Sequence, residues 1–168
     1  MADNYLMLDG KKYELSPELA NALRSCVEPE PEKESPFERH LNARYFHIDQ
    51  YGNASGCYKD SYDDVDEKLY AVANYCTDKS LMEQRAMHET LYRLLWRYSE
   101  EHGGDPEWDG SNFHISIYFD RTDGVFGVRA NEYFKSNGVT YFKDKATAEA
   151  AIEEIVKPFL AAHPDFVW

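Results

Sequence analysis

Apolar and polar positions alternate in short runs along the first half of the chain, and a helical period takes over in its middle and at its end. Tyr5 to Leu8 and Lys11 to Leu15 flank Asp9-Gly10, a two-residue hairpin signal. Ser16 followed by Pro17 pairs an N-cap with the residue favoured at the first helical position, which predicts a short helix over 17–25. Residues 27–36 carry Glu28-Pro29-Glu30-Pro31-Glu32. Alternating proline and glutamate suits neither a helix interior nor a strand ladder, so this stretch is predicted to be an extended, solvated linker. The expected organisation is a hairpin and helix over 1–26, a linker over 27–36 and a main domain over 37–168.

The main domain is predicted to open with a helical turn near Phe37 to Leu41. A strand over 44–49, a turn at Tyr51-Gly52-Asn53 and a returning strand over 56–59 follow. The acidic stretch that comes next, from Asp60 to Glu67, reads as a loop, and Leu69 to Tyr75 reads as a further strand because it is rich in aromatic and β-compatible residues. The longest helix is expected from Ser80 to about His102, with Met87, Leu91, Leu94, Leu95 and Tyr98 forming one buried stripe and Gly103-Gly104 as its stop. Phe113 to Phe119 alternates with Phe113, Ile115, Ile117 and Phe119 on one face. Thr122-Asp123-Gly124 and Asn137-Gly138 turn the chain into strands over 125–134 and 139–142. A final helix over 145–162 presents Ala148, Ile152, Ile155, Val156 and Phe159, and Pro158 is expected to kink or interrupt it. The closing residues, Pro164 to Trp168, are expected to pack.

Two strand-to-helix junctions match. Tyr75, Asp78, Lys79 and Glu83 recur as Tyr141, Asp144, Lys145 and Glu149, with the aspartates placed as N-caps. The predicted class is α+β: antiparallel β-meanders each followed by a packing helix, a ββ(β)α unit used twice, with the N-terminal hairpin and helix as an appendage.

Charge changes the picture most. Thirty-one acidic residues against 18 basic ones give a net charge of −13. A field of that sign repels phosphates, and non-specific nucleic-acid binding needs Lys and Arg to release counterions, so direct nucleic-acid binding is disfavoured. Solubilising charge accounts for the acidity; so does a surface that imitates a nucleic acid and occupies a partner's basic groove. The three cysteines, Cys26, Cys57 and Cys76, form neither a CxxC pair nor an even disulfide set. The first fifteen residues lack a basic region followed by an apolar run, and no run approaches the roughly 18 apolar residues of a membrane span. A cytoplasmic protein with reduced thiols is expected.

No catalytic, metal or cofactor motif stands out. His88-Glu89 lacks the second histidine of a zinc-protease helix, since Tyr92 stands there. His163-Pro164-Asp165 repeats a tripeptide of J-domain co-chaperones in the wrong setting, within the last six residues of a mixed chain. The stretch from Asp60 to Glu67 lacks the frame of a calcium loop. A pocket joining carboxylates to His47 or His114 would point back to an enzyme. Arg85, Arg93 and Arg97 fall at four-residue steps with Glu89 between the first two. That spacing suits an exposed face of i,i+4 pairs, or a basic stripe holding a phosphate or an acidic partner.

Ser35-Pro36-Phe37-Glu38-Arg39, Val72 to Lys79, Leu94 to Tyr98 and Ala151 to Ile155 resemble stretches of small accessory proteins encoded by phages and prophages of Gram-positive gut bacteria, over most of the chain from Ser35 onward. The resemblance carries over no catalytic residue. It implies a non-enzymatic accessory role of the kind played by anti-CRISPR and antirestriction inhibitors, which block basic nucleic-acid channels of host defence proteins. The residues expected to meet such a partner are Asp60, Asp63, Asp64, Asp66 and Glu67, then Glu100, Glu101, Asp105, Glu107 and Asp109. The alternative is a phage nucleic-acid-binding module that uses Arg85, Arg93, Arg97 and exposed aromatics. Oligomeric state is left open.

Overall fold

Short elements lead into the longest helix, and each is built from local signals. A computed structural model describes residues 5–8, 10–20, 35–131 and 134–168. The predicted linker before Ser35, the predicted helix beyond residue 20 and Cys26 lie outside the described residues. The chain divides into two units, Met1–Ser35 and Pro36–Trp168. In the first, β1 (Tyr5–Leu8) pairs antiparallel with β2 (Lys11–Glu14), and the Leu8↔Lys11 pair closes the two-residue turn. Residues 17–20 are helical, with Leu19 N–H donating to Ser16 Oγ at 3.2 Å, as an N-cap serine allows.

The second unit opens with turns at residues 36–37 and 41–42 in place of the expected helical turn. β3 (Arg44–Ile48) pairs with β4 (Ala54–Lys59), which starts two residues earlier than predicted. The next segment differs from expectation. Asp64–Ala71 is a helix, α1, and the strand predicted over 69–75 does not form. The cause is electrostatic and local. Asp63 caps the helix and Asp66 completes a capping box, while Asp64, Asp66 and Glu67 sit in the first turn, where the helix dipole favours carboxylates. Ala73, at φ 54°, ends it, with Asn74 N–H reaching back to Leu69 O at 2.8 Å. Tyr75 and Cys76 then run beside β3 through a single bridge, Phe46↔Cys76.

α2 (Lys79–Glu101) starts at the N-cap Asp78, whose carboxylate accepts from Leu81 N–H. Gly104 N–H bonds Ser99 O at 2.8 Å with Gly104 at φ +70°, a left-handed closure that stops the helix. β5 (His114–Asp120) lies between β6 (Val125–Asn131) and β7 (Tyr141–Phe142) in an antiparallel sheet. α3 (Lys145–Ala151) starts at the N-cap Asp144. The polypeptide then widens into a π turn over Ile152–Val156, closed by Lys157 N–H to Ile152 O, and continues as α4 (Lys157–Ala162). Pro158 follows directly on this widened turn, at the first turn of α4.

The two junctions noticed in sequence hold matching positions. Cys76 bridges β3, the first strand of its hairpin, and Phe142 pairs with Ile115 of β5, the first strand of the other. An aspartate N-cap and a helix follow in each case.

α2 serves as a spine for both halves. Its early residues, Met82 and Ala86, pack with Ile48 and Cys76 in one cluster. Leu91, Leu95 and Tyr98 join Phe142, Ala148, Val156 and Phe159 in another, with Ile115, Ile117, Phe166 and Trp168 against it. Phe142 and Val156 are fully buried, and burying such side chains stabilises by about 1.5–3 kcal/mol each. Phe113, expected to share a strand face with Ile115, Ile117 and Phe119, precedes the strand and is exposed. No helix among the described residues is long and apolar enough to cross a membrane.

Candidate interaction surface

The two acidic segments have opposite fates. In the first, two of the five carboxylates, Asp60 and Asp66, point inward. Asp60 is fully buried and takes both arms of the Arg39 guanidinium, Nε to Oδ2 and Nη2 to Oδ1, each at 2.7 Å. A third Arg39 nitrogen, Nη1, reaches Glu67 at 2.8 Å. The guanidinium lies over Tyr62 at 4.7 Å and beside Tyr70 and Tyr75. Its hydrogen bonds hold the Asp60 carboxyl down at about 2 against the cost of burial. Tyr62 adopts φ 57°, a left-handed backbone that costs about 1–2 kcal/mol for a residue with a side chain. Its N–H bond to Asp60 Oδ1 at 3.0 Å and its ring contact with Arg39 offset that strain.

Asp66 is also buried. It accepts from Tyr45 Oη at 2.6 Å and from Ser61 N at 2.7 Å. Burial drives its pKa up, but these donors, together with the Asp63 amide, win and leave it below the ordinary carboxylate range. Asp63 caps α1, and Asp64 pairs with Lys68 at 2.5 Å. The five carboxylates expected to form one docking loop divide: Asp60 and Asp66 are buried, while Asp63, Asp64 and Glu67 are exposed, Asp63 as the cap of α1 and the other two beside Lys68 and Arg39.

The second segment keeps most of its charge outward. Glu100, Glu101, Glu107 and Asp109 are exposed. Glu100 and Glu101 occupy the end of α2, whose last turn holds no basic residue. A carboxylate there faces the negative end of the helix dipole, a penalty of about 0.3–1 kcal/mol each. Ser111, through its hydroxyl and then its amide, holds the Asp109 carboxyl below the usual range. Asp105 departs from the expectation. It takes His114 Nδ1 at 2.8 Å, Trp108 Nε1 at 2.6 Å and Lys135 Nζ at 3.3 Å, and so braces the loop from within.

His114 is fully buried, with Trp108 stacked on its ring and Tyr141 at its edge. The Asp105–His114 pair is therefore closed in by aromatic rings on two sides. His47 is half-buried between Tyr45 and Tyr58. No group of three or more metal-ligating side chains occurs among the described residues.

On the arginine face one glutamate serves two of the three arginines. Arg85 and Arg93 both pair with Glu89 at 3.0 Å, and Arg85 also donates to Ala73 O. Arg97 is exposed. Sequence reasoning missed Arg39 altogether. Its signal was present in the resemblance to Ser35 through Arg39, but a lone arginine after a proline-rich run names no partner until the fold brings Asp60 to it.

Comparison with protein-family models, with curated proteins and with solved structures finds no match.

Proposed function

We propose that this chain is a non-enzymatic docking protein whose acidic face, formed by Glu100, Glu101, Glu107 and Asp109, occupies a basic nucleic-acid-binding surface on a host defence protein. A phage counter-defence inhibitor of the anti-CRISPR or antirestriction type is the concrete form. One observation carries the reading: two exposed glutamates stand at the dipole-disfavoured end of a 23-residue helix. Local rules of stability are broken where function requires it. The partner is expected to be a protein and not nucleic acid, because the net charge of −13 repels phosphate and two of the three stripe arginines are engaged by Glu89.

The test is an affinity capture from host lysate, with and without nuclease, at low and high salt, read by mass spectrometry. The wild-type chain is expected to retain a nucleic-acid enzyme after nuclease treatment and to release it in high salt. A variant with Glu100, Glu101, Glu107 and Asp109 changed to lysine should not retain it. Undiminished capture by that variant would rule the face out.

A further inference from the structure

A groove of about 780 Å³ runs over the first half of α2 in the second unit. Its volume lies within the roughly 300–1,000 Å³ of ligand-binding clefts. One wall is the β3–β4 turn, with Tyr51 and Gly52. The floor includes Ala86 and Met87, and the other wall is the segment 162–165.

Both walls are fastened to α2 or to themselves. In the turn, Asp49 Oδ1 accepts from Tyr51 N at 2.8 Å and from Asn53 N at 3.0 Å. Gly52, at φ +87°, sits so close to α2 that a Cβ would stand 3.0 Å from Thr90 Oγ1, so only glycine fits. Across the groove, the Gln84 amide holds the far wall at both ends: Nε2 donates to Asp165 O at 2.6 Å, and Oε1 accepts from Val167 N at 3.0 Å. The groove is preformed, which lowers the ordering cost of filling it.

Its chemistry fits a cation with an aliphatic stem. Glu83 and Asp165 line it together with His163, and the cation beside it, Arg93 near Gly52, is paired with Glu89. Glu83 pairs only with Lys79, at 2.5 Å between two largely exposed side chains, a contact of little net strength. Asp165 has no ion-pair partner among the described residues. The Tyr51 ring, 78% exposed on a pinned turn, offers a face for cation–π contact. Arginine suits this set better than lysine, since its planar guanidinium both stacks on an aromatic and bonds carboxylates in fixed geometry. We propose that the groove receives an arginine side chain, with the backbone on either side of it, from the basic partner. This inference rests on the docking reading above.

The experiment is a titration of the ¹⁵N-labelled full chain with nona-arginine peptide at low salt, followed by amide chemical shifts. The largest shifts are expected at Gly52, Thr90 and Asp165. Tyr51→Ala leaves net charge unchanged and, being an exposed turn substitution, should keep the wild-type spectrum; it is expected to weaken binding about tenfold, as loss of a hot-spot aromatic does. Asp165→Asn should weaken it as well. Shifts confined to residues 100–109, or a Tyr51→Ala variant that binds like wild type, would remove the groove and leave the docking reading intact. No shift anywhere would overturn both.

Discussion

Replacing Tyr45 with phenylalanine is the cleanest perturbation of the inward-facing acidic segment. Tyr45 is 2% exposed and donates its hydroxyl to Asp66 Oδ1 at 2.6 Å, so the change removes one oxygen from a packed site and opens no cavity of note. A hydrogen bond to a charged group is worth about 1.5–3 kcal/mol, and Asp66 keeps its Ser61 donors, so a loss near 2 kcal/mol is expected at pH 7. With a urea slope of about 1–3 kcal/mol per molar, the midpoint should fall by about 1 M. The pH dependence has a definite sign at both ends. Asp66 is held below 3.8 in the fold, so its contribution is present above that value and is lost as pH falls through the carboxylate range. Tyr45 is raised above 10, by burial first and by its bond to Asp66 second, so its contribution is present below 10 and lost as pH rises beyond it. The gap between variant and wild type should therefore be widest at neutral pH and narrow below about pH 4 and above about pH 10. Urea unfolding followed by circular dichroism at pH 3, 7 and 10.5 measures it. A cost under about 0.5 kcal/mol at pH 7, or an equal cost at pH 3, would refute the reasoning.

Two other outcomes follow from the same contacts. Asp60, lowered from 3.8 to about 2 chiefly by its Arg39 hydrogen bonds, contributes about 2 kcal/mol at neutral pH, and that stability should be lost between about pH 4 and pH 2. A carboxyl-carbon NMR titration placing Asp60 at or above 3.8 would contradict it. Glu100→Lys with Glu101→Lys should raise the melting temperature, because lysine suits the helix end where glutamate does not, while partner capture falls; a lowered melting temperature would mean the glutamates make stabilising contacts after all.

Elements whose signals are local were legible in the sequence. Asp78 and Asp144 announced their helices, Asp9-Gly10 its hairpin and Gly103-Gly104 its stop. The segment after Lys59 was misread because two local signals competed. Leu69 to Tyr75 has strand-like composition, yet Asp63 to Asp66 is a capping box, and caps with dipole-matched acids decided the outcome. The π turn was illegible for another reason: Pro158 signals a break, and whether a helix breaks or widens depends on the packing of Ile152, Val156 and Phe159 against α2 and the sheet. The candidate site was half legible. Acidic residues could be counted, but burial could not, because the ion pair that internalises Asp60 spans 21 positions in sequence.

That separation bears on how the acidity of this chain is to be understood. A carboxylate that caps a helix, meets a guanidinium or accepts a buried phenol stabilises the fold, and its presence needs no partner. Asp60, Asp63 and Asp66 are of this kind. Glu100 and Glu101 are the reverse. By the dipole rule lysine suits both positions better than glutamate, and Glu107 and Asp109 in the loop that follows add exposed charge of the same sign. Acidity spread for solubility alone has no reason to gather where the helix dipole opposes it, since any exposed site would serve equally well. The proposed docking rests on this part of the negative charge, the part that the helix dipole does not favour.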